Sequence, residues 1–320
     1  MRRNLVAVLL ATGCITDATA LDWPTRPVTM VATAAAGSSA DVLGRILGVR
    51  LSQILGHQVV IENVGGAGGL TGAARVAKAA PDGYQFLLGH AGTQAISQSI
   101  SKRPLYNAAT DFASVALLVE QSVVLIARRD LPASTLPEFI AYAKANYAKM
   151  QYGSPGAGTM VHLACAMLNA RIGVGVTHIP YRGGGPAMQD LIAGRIDYQC
   201  VLASVAIPQI KNGEVKAIAI LTRSSSPILP GLASAGLADF DIPVWNGFFL
   251  PKATPAPIVQ KLSEASVAAI ETQSVQDQLK TIGATVVAPE RRSPVYLQEL
   301  VVSEIERWGT VVKSIGLSID

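Results

Sequence analysis

Tyr152-Gly-Ser-Pro-Gly-Ala-Gly-Thr-Met-Val-His162 lies near the middle of the 320-residue chain and decides how the rest is read. Its three glycines, serine and threonine stand between a short strand-like run, Lys149 to Tyr152, and an apolar helical pattern beginning near Met160. A strand-to-helix loop of this kind leaves backbone N–H groups unpaired ahead of a helix. Those amides and the positive end of the helix dipole attract an anion. Pro155 and the glycines keep the turn tight and let a ligand approach the backbone. An ordinary turn has the same composition, so one loop decides little. A second loop of the same type decides more: Val28–Thr33 reads as a strand, Ala34-Ala-Ala-Gly-Ser-Ser-Ala40 as the turn, and Asp41 onward as a helix. Two such half-sites imply a ligand clamped between two α/β lobes and bound by backbone amides more than by any side chain.

The length suits two lobes with separate cores. Half the residues are hydrophobic and 15% are charged; the net charge is +4 with no basic stripe, which argues against a nucleic-acid partner. Residues 1–20 read as an export leader. Arg2 and Arg3 supply the basic start, Leu5 to Ala11 the apolar run, and Ala18-Thr19-Ala20 the small-x-small cleavage site, so the mature chain starts at Leu21 in the periplasm. Ala11-Thr12-Gly13-Cys14 offers a minor alternative, a lipoprotein site at Cys14. Nothing later in the chain has the length of an apolar membrane span. Cys165 and Cys200 survive cleavage, an even number in a compartment that permits disulfides; two small buried thiols are the alternative.

From Trp23 the pattern alternates strand with helix. Expected strands are Val28–Thr33, Gln58–Ile61 and Gln85–Gly89, then Val123–Ala127, Val176–Ile179, Ile196–Val201, Val215–Leu221 and Val244–Leu250. Expected helices include Asp41–Leu55, Leu70–Ala80, Leu136–Asn146, the helix after the central loop to Ala170, Pro186–Ala193, Pro257–Glu271, Val275–Ile282 and Ser293–Ile315. Such alternation implies parallel sheets covered by helices. Gly65-Gly-Ala-Gly-Gly-Leu-Thr-Gly72 invites a dinucleotide reading but has Thr71 where the third glycine belongs, and no cofactor is implied. Ser154, His162 and Asp41 make a hydrolase triad on paper, yet a nucleophile elbow needs glycine where Tyr152 stands. His57, His90, His162 and His178 never pair at metal-ligand spacing. The expectation is therefore no catalysis and no metal.

A longer set of motifs carries a resemblance. It comprises Trp23-Pro-Thr-Arg-Pro27, Glu62-Asn63 before Gly66-Ala-Gly-Gly69, Ala80-Pro-Asp-Gly-Tyr84 and Gly89-His-Ala-Gly-Thr93. Tyr152-Gly-Ser through His162, Pro180-Tyr-Arg-Gly-Gly-Gly-Pro186, Pro208-Gln-Ile-Lys211 and Glu304-Ile-Glu-Arg-Trp-Gly309 follow. In this order and spacing the chain resembles the substrate-binding proteins of tripartite tricarboxylate transporters, the Bug proteins. The resemblance implies a two-lobed α/β periplasmic binding fold of type II kind, each lobe a mainly parallel sheet flanked by helices. One lobe would be residues 21–122 plus 224–320 and the other 123–223. It implies a monomer that takes a small organic carboxylate from the cleft to integral membrane subunits; a ligand-sensing receptor uncoupled from transport needs the same cleft. The implied ligand-binding set is Ala36, Gly37, Ser38, Ser39, Asp41, His90, Thr93, Ser154, Gly156, Ala157, Gly158, Thr159, His162, Tyr181, Val201 and Leu202. Within it, His162 either braces its loop or touches the ligand, and bracing is favoured. Asp41 orients its own loop amides, since a carboxylate against an anion is repulsive. Arg182 either pairs with a ligand carboxylate or lies on the surface, and the surface reading is favoured; Trp308 reads as core. In this fold Cys165 and Cys200 fall on a helix and a neighbouring strand, and a disulfide between them is expected.

The chain also departs from the family pattern. The first loop usually carries an aromatic, then Gly-Gly and a hydroxyl residue before the Asp; here the matching places hold Thr33, Gly37-Ser38 and Ala40. Val201-Leu202 replaces a polar pair, Asp-Asn or Asp-Gln. A distal carboxylate set against these side chains would lose hydration without a partner, whereas an apolar group would gain about 25 cal/mol per Å² buried. The expected ligand has one carboxylate and a largely apolar remainder.

Overall fold

The computed structural model describes residues 22–101, 103–222 and 244–314, with Leu229, Leu232 and Ile242. The leader, Cys14, Leu21 and the expected helix end at Ile315 lie outside the described residues. The first part of the chain runs β1 (Val28–Ala32), α1 (Ser39–Leu55), β2 (Val59–Asn63), α2 (Leu70–Ala77), β3 (Gln85–His90), α3 (Ser97–Ile100) and β4 (Phe112–Gln121). A second series follows: β5 (Val123–Arg128), α4 (Leu136–Asn146), β6 (Gln151–Ser154), α5 (Met160–Ile172), β7 (Thr177–Pro180), α6 (Gly184–Ile192), β8 (Tyr198–Leu202), α7 (Ala203–Lys211) and β9 (Val215–Ile220). The chain ends with β10 (Val244–Pro251), α8 (Ala256–Glu271), α9 (Gln273–Thr281), β11 (Ala284–Val286) and α10 (Pro294–Ser314).

These strands form a six-stranded sheet, β11-β4-β10-β3-β1-β2, and a five-stranded sheet, β7-β6-β8-β5-β9. The sheets are mixed, which corrects the expectation of mainly parallel ones. Parallel pairing is confined to β2-β1-β3 and β7-β6-β8, where helices make the crossovers. β10 runs antiparallel to β3 and β4, β11 to β4, and β5 to β8 and β9. The difference lies in the strands that carry the chain between sheets. Ser122 alone separates β4 from β5, and β10 begins after the return; antiparallel neighbours need no helical crossover.

Strands buried on both faces explain the continuous apolar runs. On β1, Met30 points into the core beneath α1, with Leu43, Leu47 and Leu51. Val31 points the other way, into a core that continues to Leu125, Tyr198 and Trp308. Helix α1 is bounded by Ser38, whose Oγ accepts from the Asp41 amide at 3.3 Å, and by Gly56 in a left-handed conformation (φ 71°). On β8, Tyr198 and Cys200 face α5, while Val201 packs with Val124, Ile126, Met188 and Leu191. Cys165 of α5 and Cys200 of β8 are joined by a disulfide, Cα–Cα 5.5 Å, as expected from the sequence. Trp308 is core, its Nε1 donating to Glu304 at 3.0 Å.

Candidate functional site

Both expected half-sites sit at the carboxyl ends of parallel strands, where open α/β sheets bind ligands. After β1, the loop to α1 is built by its own side chains. Asp41 Oδ2 accepts the Gly37 amide at 2.8 Å, the Ser38 amide reaches Ala35 O at 3.2 Å, and Asn63 Nδ2 holds Ala34 O at 3.1 Å. Arg45 spans both Asp41 oxygens, Nε to Oδ2 at 3.1 Å and Nη2 to Oδ1 at 3.0 Å. Burial works against the Asp41 charge, but Arg45, the Gly37 amide and Asn63 outweigh it and hold the carboxyl below its usual range. Asp41 therefore orients the loop and has its charge spent there. Ala36 and Gly37 are exposed and Ser38 and Ser39 half-buried. Among the described residues, the first-turn amides of Ser39 and Ala40 have no acceptor in the chain.

The central loop is braced more tightly. Ser154 Oγ, fully buried, donates to Gly156 O at 3.0 Å, accepts from the Gly156 amide at 3.2 Å, and lies 2.7 Å from His178 Nε2. A hydroxyl donates once and accepts twice, so all three bonds are met together when His178 carries its proton on Nε2. His162 Nδ1 accepts the Gly158 amide at 3.1 Å, and Thr159 caps α5 by accepting from the His162 amide while its Oγ donates to Gly156 O at 2.8 Å. His162 and His178 stack at 4.1 Å between centroids, and Tyr152 stacks on both. Burial, then the neighbouring His178, pushes His162 down to about 4; burial also lowers His178. Both rings are thus kept neutral. The amides of Ala157, which is exposed, and of Met160 and Val161 have no acceptor in the chain among the described residues.

The other expected residues divide. His90 Nδ1 accepts from the Gly92 amide at 3.1 Å, and Thr93 Oγ exchanges bonds with the His90 backbone at 3.1 and 3.2 Å; Thr93 is fully buried and braces this turn with no surface for a ligand. Tyr181 donates its OH to Asp190 at 2.7 Å and its amide to Ser154 O at 2.9 Å, so its polar atoms hold the segment beside the central loop. Burial, then Asp190, pushes its phenol up to about 12. Val201 lies inside the core at 5% exposure, which corrects its assignment to the ligand surface: on β8 it faces α6 and α7. Leu202, half-buried at the strand end, is the apolar residue that precedes α7. Arg182 is exposed.

The halves meet. Ser204 Oγ, in the first turn of α7, donates to Ser39 Oγ at 3.1 Å, and a Cβ placed on Gly68 would lie 3.9 Å from Thr159 Cγ2. The loop carrying Gly68 has left-handed backbone at Gly66, Ala67, Gly68 and Gly69, and it turns the chain between β2 and α2 across from the α5 cap. Sequence reasoning missed His178, Ser204, Gln121 and Asn246. His178 lay outside any recognisable spacing, and α7 starts without a side-chain cap and contains Pro208, so its first turn gave no signal. Among the described residues, no group of three or more His, Cys, Asp or Glu is placed to hold a metal, and no helix is long and apolar enough to cross a membrane.

Comparison with known proteins settles the family. The profile of the tripartite tricarboxylate transporter family receptor, TctC, matches residues 43–317. The chain belongs to the TctC family. It is 38% identical to MatC (Rpa3494) from Rhodopseudomonas palustris with bound malate, with a TM-score of 0.84 over 91% of this chain and 100% of that one. The periplasmic binding protein BugD is 36% identical, with a TM-score of 0.86 over 92% of this chain and 99% of that one. R. palustris Rpa4515 with adipate is 31% identical, with a TM-score of 0.87 over 93% and 99%. This TctC-family chain therefore has the two-lobed periplasmic binding protein fold and is a binding protein, not an enzyme.

Proposed function

We propose that the protein captures a small organic carboxylate between its lobes and delivers it to the integral membrane subunits of a tripartite transporter. The observation that carries this reading is the set of uncommitted first-turn amides, Ser39 and Ala40 on α1 and Met160 and Val161 on α5, at strand ends whose lobes touch at Ser39–Ser204. Helix N-termini favour anions through their amides and dipole. Arg45, on the helix that follows the first loop, is committed to Asp41. Malate and adipate, in the two relatives, are small carboxylates. We assign the lobes to residues 21–122 plus 224–320 and 123–223, and the leader to residues 1–20. Leu202 at the end of β8 favours a ligand with one carboxylate and an apolar remainder.

A thermal-shift screen of the mature protein against malate, adipate, citrate and aromatic or branched monocarboxylates tests this. At a hundred times its dissociation constant, a ligand stabilises by about 2.7 kcal/mol. Stabilisation by none of them overturns the carboxylate reading; malate, adipate or citrate binding more tightly than every monocarboxylate overturns the apolar-remainder part. Intact mass of protein recovered from the periplasm checks the start at Leu21, and a full-length species would count against export.

A further inference from the structure

Four polar side chains link the gap between the lobes to both strands that carry the chain across it. Ser204 Oγ donates to Ser39 Oγ at 3.1 Å, Ser39 Oγ to Gln121 Oε1 at 2.8 Å, and Gln121 Nε2 to Asn246 Oδ1 at 2.9 Å. Ser39 opens α1 on the six-stranded sheet and Ser204 lies in the first turn of α7 on the five-stranded one, so the first bond crosses between lobes. Gln121 ends β4, directly before the chain passes to β5, and Asn246 lies on β10, after the return. Both amides are 3% exposed. The start of α7 is tied to the same crossing by the Ala203 amide, which donates to Ser122 O at 2.9 Å. Buried amides of this kind persist because they are bonded. Here the bonded partner of Gln121 is the hydroxyl that reaches across the gap.

We infer that Gln121 and Asn246 are positioning residues of the cleft, and that the Ser39–Ser204 hydroxyl pair they hold in place is the latch that keeps the lobes closed. Each hydroxyl proton along the chain points towards Asn246, so neither serine hydroxyl has a proton left for an anion. The pair acts on closure, and a ligand carboxylate takes the amides beside it. A protein whose binding-competent state is populated only in part binds more weakly by that fraction, so the latch also sets affinity. That consequence rests on the carboxylate-binding reading; the latch itself does not.

The test therefore uses no ligand. Spin labels at Val49→Cys on α1 and Tyr147→Cys beyond α4, both exposed, report the distance between lobes by pulsed electron resonance in mature, oxidised protein. The parent should show a dominant population at the distance of the present structure. Ser39→Ala and Ser204→Ala should each move the open–closed ratio about five-fold towards longer distances, as expected for one ordinary hydrogen bond. Gln121→Leu should do the same and add nothing to Ser39→Ala, while Ser204→Thr, which keeps the hydroxyl, should leave the parent distribution. Ser39→Ala and Ser204→Ala both matching the parent would overturn the inference, as would additive shifts in the Ser39/Gln121 pair. Failure of every carboxylate in the thermal screen would leave this result standing.

Discussion

Ser154→Ala separates two roles for the residue at the centre of the chain. As a ligand contact, its hydroxyl would be worth about 0.5–1.5 kcal/mol of affinity and little stability. The structure instead gives that hydroxyl three internal bonds, to Gly156 O, from the Gly156 amide, and with His178 Nε2. Alanine leaves the Gly156 N–H and the His178 Nε2–H without an acceptor. Both residues are half-buried, so water replaces part of each bond and the penalty falls at the low end, about 1 kcal/mol each. The lost donation to Gly156 O adds a similar amount, for a total of about 2–3 kcal/mol of folding stability. Urea unfolding of the oxidised mature protein should show a lower midpoint at an unchanged slope. His178→Phe, which keeps a ring in the stack, should cost less, and the double variant should fall short of the sum by about 1 kcal/mol because the two share one bond. A Ser154→Ala protein with the parent's urea midpoint but weaker ligand binding would refute this and return Ser154 to the ligand.

Gly158 has φ 76°, which proline cannot adopt, and its amide is the one given to His162, so Gly158→Pro should abolish ligand binding in calorimetric titration while far-ultraviolet dichroism stays unchanged. Acid should destabilise the fold through His162: the unfolded ring protonates near 6.5 and the folded one near 4, so its contribution is complete above 6.5 and is lost as the pH falls from 6.5 to 4, by about 3 kcal/mol. Urea midpoints across that range check this, and a His162→Gln protein should show a shallower decline. Replacing Cys165 and Cys200 together by serine opens a loop with a sequence separation of 35 residues and should cost about 3–4 kcal/mol, read as a lower melting temperature than the oxidised parent's.

The two loops were legible because glycine-rich turns before apolar helical periods carry their own physical signature. The strands β1, β3, β5 and β9 were legible from apolar runs bounded by turn residues. β4 was not, although Phe112–Gln121 is one of the longest strands: its run FASVALLVEQ has neither period 2 nor period 3.6, because both of its faces are buried. With β4 unseen, the mixed character of the first sheet was unseen too. Residues whose roles are local were read correctly, as with Asp41 orienting the Gly37 amide and His162 bracing Gly158. Residues whose roles depend on distant partners were not. Val201 looked like a cleft residue by its place at a strand end, yet the strand pleat turns it into the core with Val124, Ile126, Met188 and Leu191. His178 and Asn246 meet their partners across separations of 24 and 125 residues, which no local pattern encodes.

The braces beneath the central loop explain why amides can serve in place of a charged side chain. An amide half-site binds an anion well only if its N–H groups already point at one place, since ordering them at binding would cost conformational entropy. Ser154, His178, His162 and Thr159 meet that cost during folding, by fixing the Gly156 carbonyl and the Gly156 and Gly158 amides from within. The disulfide joins α5 to β8, tying the helix that presents Met160 and Val161 to the strand that leads into α7. Neutral histidines suit this place better than charged ones. A cation at His162 could no longer accept the Gly158 amide, and it would be stacked 4.1 Å from His178 with burial opposing its charge. An arginine in the cleft would add affinity through a charge-assisted pair but would also slow release, because differences in affinity appear mainly in the dissociation rate. On the proposed reading, a carrier that hands its ligand on would gain more from pre-set dipoles and from the inferred Ser39–Ser204 latch.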